Sequence, residues 1–399
     1  MKTLLQINVA CNSRSTGRIA EQIGLLAQGN GWKSYVATGT RYSRESRLEK
    51  IEIGGLWDER WHAIESRFLD NHGLASRRAT HRLVERIKAI KPDIIHLHNI
   101  HGYYINYRIL FEYLNSMDIP VVWTLHDCWP FTGHCTYFDS VSCERWKSKC
   151  HDCPLKRDYA RSLFLDRSQR NYELKKSLFA ANKNLHLIPV SQWLASLVKE
   201  SFLKNADIQV ISNGVDLSAF TLRERKNDGK FRILGVATSW GARKGLKDFY
   251  RLREHLDSQK YEITLVGLKP KQIKELPSGI QGIERTNSVD ELAQFYSDAD
   301  VLVNPTYADT FPTVNLEALA CGTPVVTYRT GGSPETLTSE TGVVVETGDI
   351  HGLVHTIENI RVKGKSSYTH ACRERAEKFY NKEERFMDYI HLYERLLKK

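Results

Sequence analysis

Two doubly wound α/β domains are predicted by three observations. Short Val-, Ile- and Leu-rich runs alternate with helical stretches from end to end, which is the pattern of parallel sheets covered by helices on both faces. The chain has 399 residues, the length of two domains at about 150 residues each or one large one. Near its middle, the charged, glycine-containing segment Arg223-Glu224-Arg225-Lys226-Asn227-Asp228-Gly229-Lys230 breaks the alternation like a linker. With 41% hydrophobic and 26% charged residues, the composition excludes a disordered chain. A net charge of +10 favours polyanions, phosphorylated ligands or an anionic membrane surface.

In the first half, strands are expected at Leu4–Val9, Ser34–Thr38, Ile94–His98, Val121–Leu125 and Leu185–Val190. A helix carrying Ile19, Ile23 and Leu26 at helical spacing follows the first of them. In the second half, strands are expected at Phe231–Ala237, Glu262–Val266, Val301–Asn304, Pro324–Thr327 and Gly342–Val345. Helices are expected near Leu246–Leu256, Val289–Tyr296, Val314–Ala320 and Ile350–Ile360. The division predicted is 1–205, then 206–381, with a helix at about 382–399 packing back on the first domain. The opening residues turn polar too quickly for a signal peptide, and no apolar run approaches the ~18 residues of a membrane span. A cytoplasmic protein is therefore expected.

Ligands of such sheets bind beyond the carboxyl ends of the strands, so motifs at those ends carry the functional argument. After the strand ending at Asn304, a loop carries Asp309, a helix starts near Thr313, Glu317 lies on its first turns, and Gly322 ends it. Free amides at a helix start hold an anion. Two acids flanking them suit a sugar nucleotide, whose hydroxyls need acceptors and whose diphosphate needs donors. The same residues also describe a surface loop capping an amphipathic helix. After the first strand, Gly17 in Asn12-Ser13-Arg14-Ser15-Thr16-Gly17-Arg18 would let the backbone approach a ligand at another helix start.

Two histidine clusters close neighbouring strands: His96, His98 and His101 on one, His126 with Asp127 on the next. Five of the eight cysteines fall between Cys128 and Cys153, which is no pattern for disulfides spread over a secreted chain. Cys135, Cys143, Cys150 and Cys153 supply four thiolates with one C-x-x-C pair, enough for a closed structural zinc site. Plain reduced cysteines or an iron–sulfur cluster fit the spacing as well. Arg60 to Lys91 is rich in Arg and His with Trp57, Trp61, Phe68, Leu69 and Leu74 interspersed. It reads either as solvated helix faces or as a docking surface for anionic lipid.

Asp309 through Pro324 resembles the acid-x7-acid signature of family 4 retaining glycosyltransferases, with its Glu-Ala-Leu-Ala-Cys-Gly-Thr-Pro run. Further pieces stand in the family's order: Ser191, Asn213-Gly214-Val215-Asp216 with Phe220, Arg243-Lys244-Gly245, Val266-Gly267, Ala299-Asp300-Val301-Leu302-Val303 and Gly331-Gly332-Ser333-Pro334-Glu335. The Cys-rich segment is similar to one in a subset of bacterial polysaccharide glycosyltransferases. The resemblance implies the GT-B architecture, two facing Rossmann-like domains with the active site in the cleft between them.

It also implies roles. Glu317 would bind the ribose hydroxyls, and the loop Asp309-Thr310-Phe311-Pro312-Thr313-Val314-Asn315 would hold the donor sugar and diphosphate. Lys244 would neutralise the diphosphate, Gly17 would face the donor phosphates, and His126 would lie near the donor sugar, oriented by Asp127 unless that acid meets the acceptor. Two residues depart from the family: Asp309 stands where Glu is usual, and Thr238 where Arg is common, so that Arg243 would supply the missing charge. Asp298-Ala299-Asp300 mimics the Asp-x-Asp metal motif of the other large glycosyltransferase architecture, but its place before a buried strand reads as a turn. No catalytic metal is expected, because Lys244, Arg243 and helix-start amides stabilise a departing diphosphate.

The function expected is retaining transfer from a nucleoside-diphosphate sugar to a lipid-linked or oligosaccharide acceptor in surface polysaccharide biosynthesis. It would take place in the cytoplasm or on the inner face of the cytoplasmic membrane. The competing readings are a sugar-nucleotide epimerase or hydrolase of the same fold, and a zinc-containing nucleic-acid-binding protein. Scattered basic residues and the lack of a nucleic-acid motif speak against the last.

Overall fold

The structure is a computed structural model that describes residues 1–225 and 229–398. Of the expected linker, Lys226, Asn227 and Asp228 lie outside the described residues. The chain divides into two compact units, residues 1–211 with Phe386–Lys399, and Ser212–Arg385.

In the first unit the strands are β1 (Thr3–Asn8), β2 (Lys33–Thr38), β3 (Glu49–Glu52), β4 (Ile94–Leu97), β5 (Val121–Leu125), β6 (Leu185–Pro189) and β7 (Asp207–Ile208). They form one parallel sheet in the order β3-β2-β1-β4-β5-β6-β7. The strand order reverses between β1 and β4, whose register pairs Leu4 with Ile94 and Ile7 with Leu97. Both strands thus open at the same edge, where the Arg14–Gly29 helix begins. The unit boundary lies after Ile211 rather than at 205 because β7 adds an edge strand to β6.

The second unit holds β8 (Phe231–Val236), β9 (Tyr261–Val266), β10 (Ile280–Ile283), β11 (Val301–Asn304), β12 (Val325–Tyr328) and β13 (Gly342–Val345). Its parallel order is β10-β9-β8-β11-β12-β13, reversing between β8 and β11. Its inner strands β11 and β12 are buried along their whole length, as near-continuous Val/Leu runs require when helices cover both faces. Three strands had no counterpart in the sequence reading: β3 is Glu-Lys-Ile-Glu on an exposed edge, β7 has two residues, and β10 contains Gly282.

The core of the first unit is completed from the far end of the chain. Phe386, Tyr389, Ile390, Leu392, Tyr393 and Leu396 cluster with Leu4, Ile23, Trp32, Ile94, Val122 and Ile188. Two of these tyrosines also hold polar groups of the sheet. The Tyr393 hydroxyl lies 2.6 Å from His96 Nδ1, and the Thr124 hydroxyl donates to the Tyr389 oxygen at 3.0 Å. His96, fully buried, is therefore a structural histidine.

Candidate active site

In the second unit, the predicted residues gather where β8 and β11 open. Lys244 Nζ and Asp309 Oδ2 form a half-buried ion pair at 2.5 Å. Arg243 lies beside them, and its guanidinium donates to the Ala308 carbonyl at 2.8 Å, so its charge is held against the Asp309 loop. Thr238 is exposed. The Thr313–Ala320 helix starts behind Pro312, and no side chain caps it. The Asn315 amide donates to the Pro312 carbonyl at 3.2 Å, and the amides of Thr313 and Val314 before it are left for water or a ligand, with the positive end of the helix dipole behind them. Phe311 and Pro312 are buried, Thr313 and Val314 half-buried.

Glu317, one turn into the helix, accepts a 2.7 Å hydrogen bond from the Tyr296 hydroxyl. Asn315 is different, because its side chain is fully buried. It accepts from Asn304 Nδ2 at 2.9 Å and donates to Thr336 Oγ1 at 2.9 Å. It therefore ties the helix to the end of β11. Thr310 is buried in the same loop.

The loop is also clamped from behind. Gly331 has φ +54°, and a Cβ there would lie 1.8 Å from the Asp309 carbonyl oxygen. The Gly332 amide donates to that oxygen at 3.1 Å. The Asp300 carboxylate accepts from the Arg232 amide at 2.7 Å and pairs with Arg225 at 2.6 Å. That acid is a turn-forming residue, as its place before β11 implied.

In the first unit, the ends of β4 and β5 carry a histidine network. His98 Nδ1 lies 3.2 Å from His126 Nε2, and His98 Nε2 lies 3.1 Å from Gln6 Oε1. Burial lowers His126 to about 4, so the ring is neutral at neutral pH. Asp127 Oδ2 accepts from His101 Nε2 at 2.8 Å, and its Oδ1 accepts from the Trp129 amide at 2.9 Å. Burial opposes its charge, but His101 together with the Trp129 amide and His126 outweighs that and holds the carboxyl below its usual range. Asp127 thus orients His101, whose Nδ1 lies 3.1 Å from the Tyr159 hydroxyl. The sequence reading did not single out Tyr159, 58 residues from His101.

Gly17 serves packing. A Cβ there would meet the Ala10 backbone at 3.1 Å, so the glycine lets the Arg14–Gly29 helix lie against the strand end. The anion-binding capacity of that helix start rests on its first amides, which no side chain caps.

Cys135, Cys143, Cys150 and Cys153 line one cavity with His134 and Trp146. All are free thiols. Cys135 and Cys153 share a hydrogen bond, and the Gly133 amide donates to Cys150 Sγ at 3.3 Å. Among the described residues no three His, Cys, Asp or Glu side chains are gathered as a metal centre, so the sulfurs are neighbours rather than a formed tetrahedral set. Lys175 is fully buried nearby. It donates to the carbonyls of Trp129 at 2.7 Å and Thr132 at 3.0 Å, and burial lowers it to about 7. Among the described residues no helix is long and apolar enough to cross a membrane.

Comparison with known proteins bears on the family and the fold. Residues 18–219 match the model of Glycosyltransferase Family 4, and residues 230–361 match that of Glycosyl transferases group 1. A protein of Escherichia coli (strain K12) named as a colanic acid biosynthesis glycosyl transferase, WcaC, is 25% identical over 76% of this chain and 77% of its own. Among solved structures, sucrose-phosphate synthase from Thermosynechococcus elongatus superposes with a TM-score of 0.75 at 18% identity, covering all of both chains. Anabaena HepE in complex with UDP-glucose superposes with a TM-score of 0.64 at 14% identity, over 98% of this chain and 99% of its own. With two Rossmann-like sheets of GT-B type and a family match over half its length, the chain belongs to Glycosyltransferase Family 4 and is a glycosyltransferase.

Proposed function

We propose that the protein transfers a sugar, with retention, from a nucleoside-diphosphate sugar to a lipid-linked or oligosaccharide acceptor in surface polysaccharide biosynthesis. The observation that carries this reading is the Lys244–Asp309 pair at the uncapped start of the Thr313–Ala320 helix, with Glu317 one turn further on. The names of WcaC and of the HepE complex with UDP-glucose support the pathway class and the donor class.

As the bond from the anomeric carbon to the diphosphate oxygen breaks, negative charge grows on the leaving group. Lys244 and the amides of Thr313 and Val314 stabilise it. Glu317, oriented by Tyr296, accepts from the ribose hydroxyls, and Asp309 accepts from a sugar hydroxyl. The acceptor oxygen bonds to the anomeric carbon on the face the diphosphate leaves, and its proton passes to the departing phosphate oxygen. Neutral His126 hydrogen-bonds the donor sugar, and the His101–Asp127 pair positions the acceptor. In this scheme no protein nucleophile is needed.

The four thiols are proposed to take a structural zinc ion after side-chain rotation. Their common cavity and the amide donated to Cys150 support it, and buried Lys175 offsets part of a tetrathiolate's double negative charge. Such an ion would staple the loop between β5 and β6 and leave no open position for catalysis. The protein is proposed to work at the inner face of the cytoplasmic membrane.

The decisive experiment follows the donor by NMR in the presence and absence of acceptor. Transfer with retained anomeric configuration, abolished in Glu317→Ala while nucleotide-free folding is kept, is expected. Epimerisation or hydrolysis without acceptor would replace this reading with the same-fold alternative.

A further inference from the structure

The Leu56–Leu69 helix is built inside out. Its buried face consists of Glu59, His62, Ala63 and Ser66, while Trp57, Trp61, Ile64 and Phe68 stand on the exposed face at helical spacing. Trp57 is 78% exposed and Trp61 66%.

Two residues of the polar side are held by hydrogen bonds. Glu59 accepts from the amides of Thr40 at 2.6 Å and Arg41 at 3.2 Å. His62 bonds Ser76 Oγ at 2.8 Å and accepts from the Gly73 amide at 3.0 Å. These bonds fix the rotation of the helix, so its apolar side cannot turn inward. A second element extends that side. The Leu163 amide donates to the Arg67 carbonyl at 2.8 Å, and Phe164, 64% exposed, stacks on Phe68 with centroids 5.5 Å apart. Exposed apolar groups in a contiguous patch mark an interaction surface, unlike single scattered ones.

Its charge identifies the occupant. Asp58 is taken up by the Gly55 amide, Glu59 by the amides of Thr40 and Arg41, and Glu65 by Asn71 and Arg77, which leaves Arg60 and Arg67 as the exposed charges of the helix, with Arg60 over the Trp57 ring at 4.9 Å. Two tryptophans and a phenylalanine flanked by arginines match the apolar boundary and anionic headgroups of a bilayer surface. We infer that the Trp57–Trp61–Ile64–Phe68 face, with Phe164, inserts into the interface of an anionic membrane. This deepens the proposed acceptor reading, on which it rests, by naming the surface that would meet a lipid-linked acceptor, and of the two readings of Arg60 to Lys91 it takes the docking surface. The insertion is apolar and aromatic, with the arginines adding attraction, rather than purely electrostatic.

The test uses the full-length protein and vesicles of phosphatidylcholine with and without phosphatidylglycerol. Trp57 and Trp61 are the tryptophans exposed among the described residues, so lipids brominated on the acyl chain should quench part of the fluorescence on binding. Trp57→Ser/Trp61→Ser/Phe68→Ser should weaken vesicle binding roughly tenfold or more, with an unchanged melting temperature and unchanged turnover of a soluble acceptor. Arg60→Gln/Arg67→Gln should reduce binding mainly to the anionic vesicles. Absence of quenching in the wild type overturns the inference even if transfer is active, and leaves the transfer reading standing. Concentration-dependent dimerisation abolished by the triple variant, without vesicle binding, overturns it in favour of a second copy. Vesicle binding in a protein that transfers no sugar supports the inference and defeats the transfer reading.

Discussion

Lys244 and Asp309 make opposite predictions for nucleotide binding and for turnover. In the ligand-free site, the ammonium is balanced by a carboxylate 2.5 Å away. A diphosphate oxygen that reaches the same ammonium comes within about 5 Å of that carboxylate. At an effective dielectric of about 20 this repulsion is on the order of 3 kcal/mol, and partial exposure of both groups reduces it to about 1. Lys244→Ala removes a charge-assisted hydrogen bond of about 1.5–3 kcal/mol and leaves the repulsion unscreened, so UDP should bind roughly tenfold to several hundredfold more weakly. Asp309→Asn removes the repulsion and the competitor for Lys244, so UDP should bind equally well or a few-fold more tightly. Turnover should nevertheless fall, because the sugar loses its acceptor. Titration calorimetry with UDP, alongside a transfer assay, reads both effects. If Asp309→Asn weakens UDP as much as Lys244→Ala does, the acid belongs to the diphosphate site and the division of roles is wrong.

Three further outcomes are expected. Metal analysis of the purified protein should find about one zinc per chain, lost with a lowered melting temperature in Cys150→Ser/Cys153→Ser; an active, metal-free wild type refutes the site. Gly331→Ala should displace the Asp309 carbonyl, 1.8 Å from the new Cβ, and reduce UDP-sugar affinity at least tenfold; wild-type affinity would show that the clamp does not set the loop. Burial lowers His62 to about 3 and His126 to about 4, against about 6.5 in the unfolded chain. The unfolded state therefore binds more protons between about pH 6.5 and 4, and the melting temperature should fall as pH drops through that window. A flat profile from pH 7 to 5 would contradict the buried neutral histidines.

The sheets were legible because buried parallel strands are written as short apolar runs, and the strands read that way all lie in the two sheets. Edge strands obey no such rule: β3 keeps three charges in four residues because only its backbone is needed. Around the Thr313–Ala320 helix, local spacing was enough to bring Asp309 and Glu317 to one helix start. The partnership of Asp127 with His101 and Tyr159 depends on a long loop folding back, which no local period encodes. Asn315 and Gly17 carry the residue types expected at ligand sites, and both also serve tertiary packing, which their local spacing does not reveal. The Leu56–Leu69 helix defeats period reading for another reason. A moment gives the direction of the apolar face but not whether that face points inward, and here hydrogen bonds to Glu59 and His62 decide it.

The tyrosines of the final helix have a consequence for how the protein is made. When a ribosome has delivered the first 211 residues, every strand of the first sheet exists, yet Leu4, Trp32 and Ile94 still lack the side chains from Phe386 to Leu396 that cover them. The sheet must wait, with apolar surface open, while 174 more residues are translated and folded as the second unit. Chaperone dependence should therefore concentrate in the nascent chain rather than in the finished enzyme. A stop codon near residue 385 would be more damaging than the loss of so few residues suggests, since it strands the earliest-made half of the molecule without the far wall of its core.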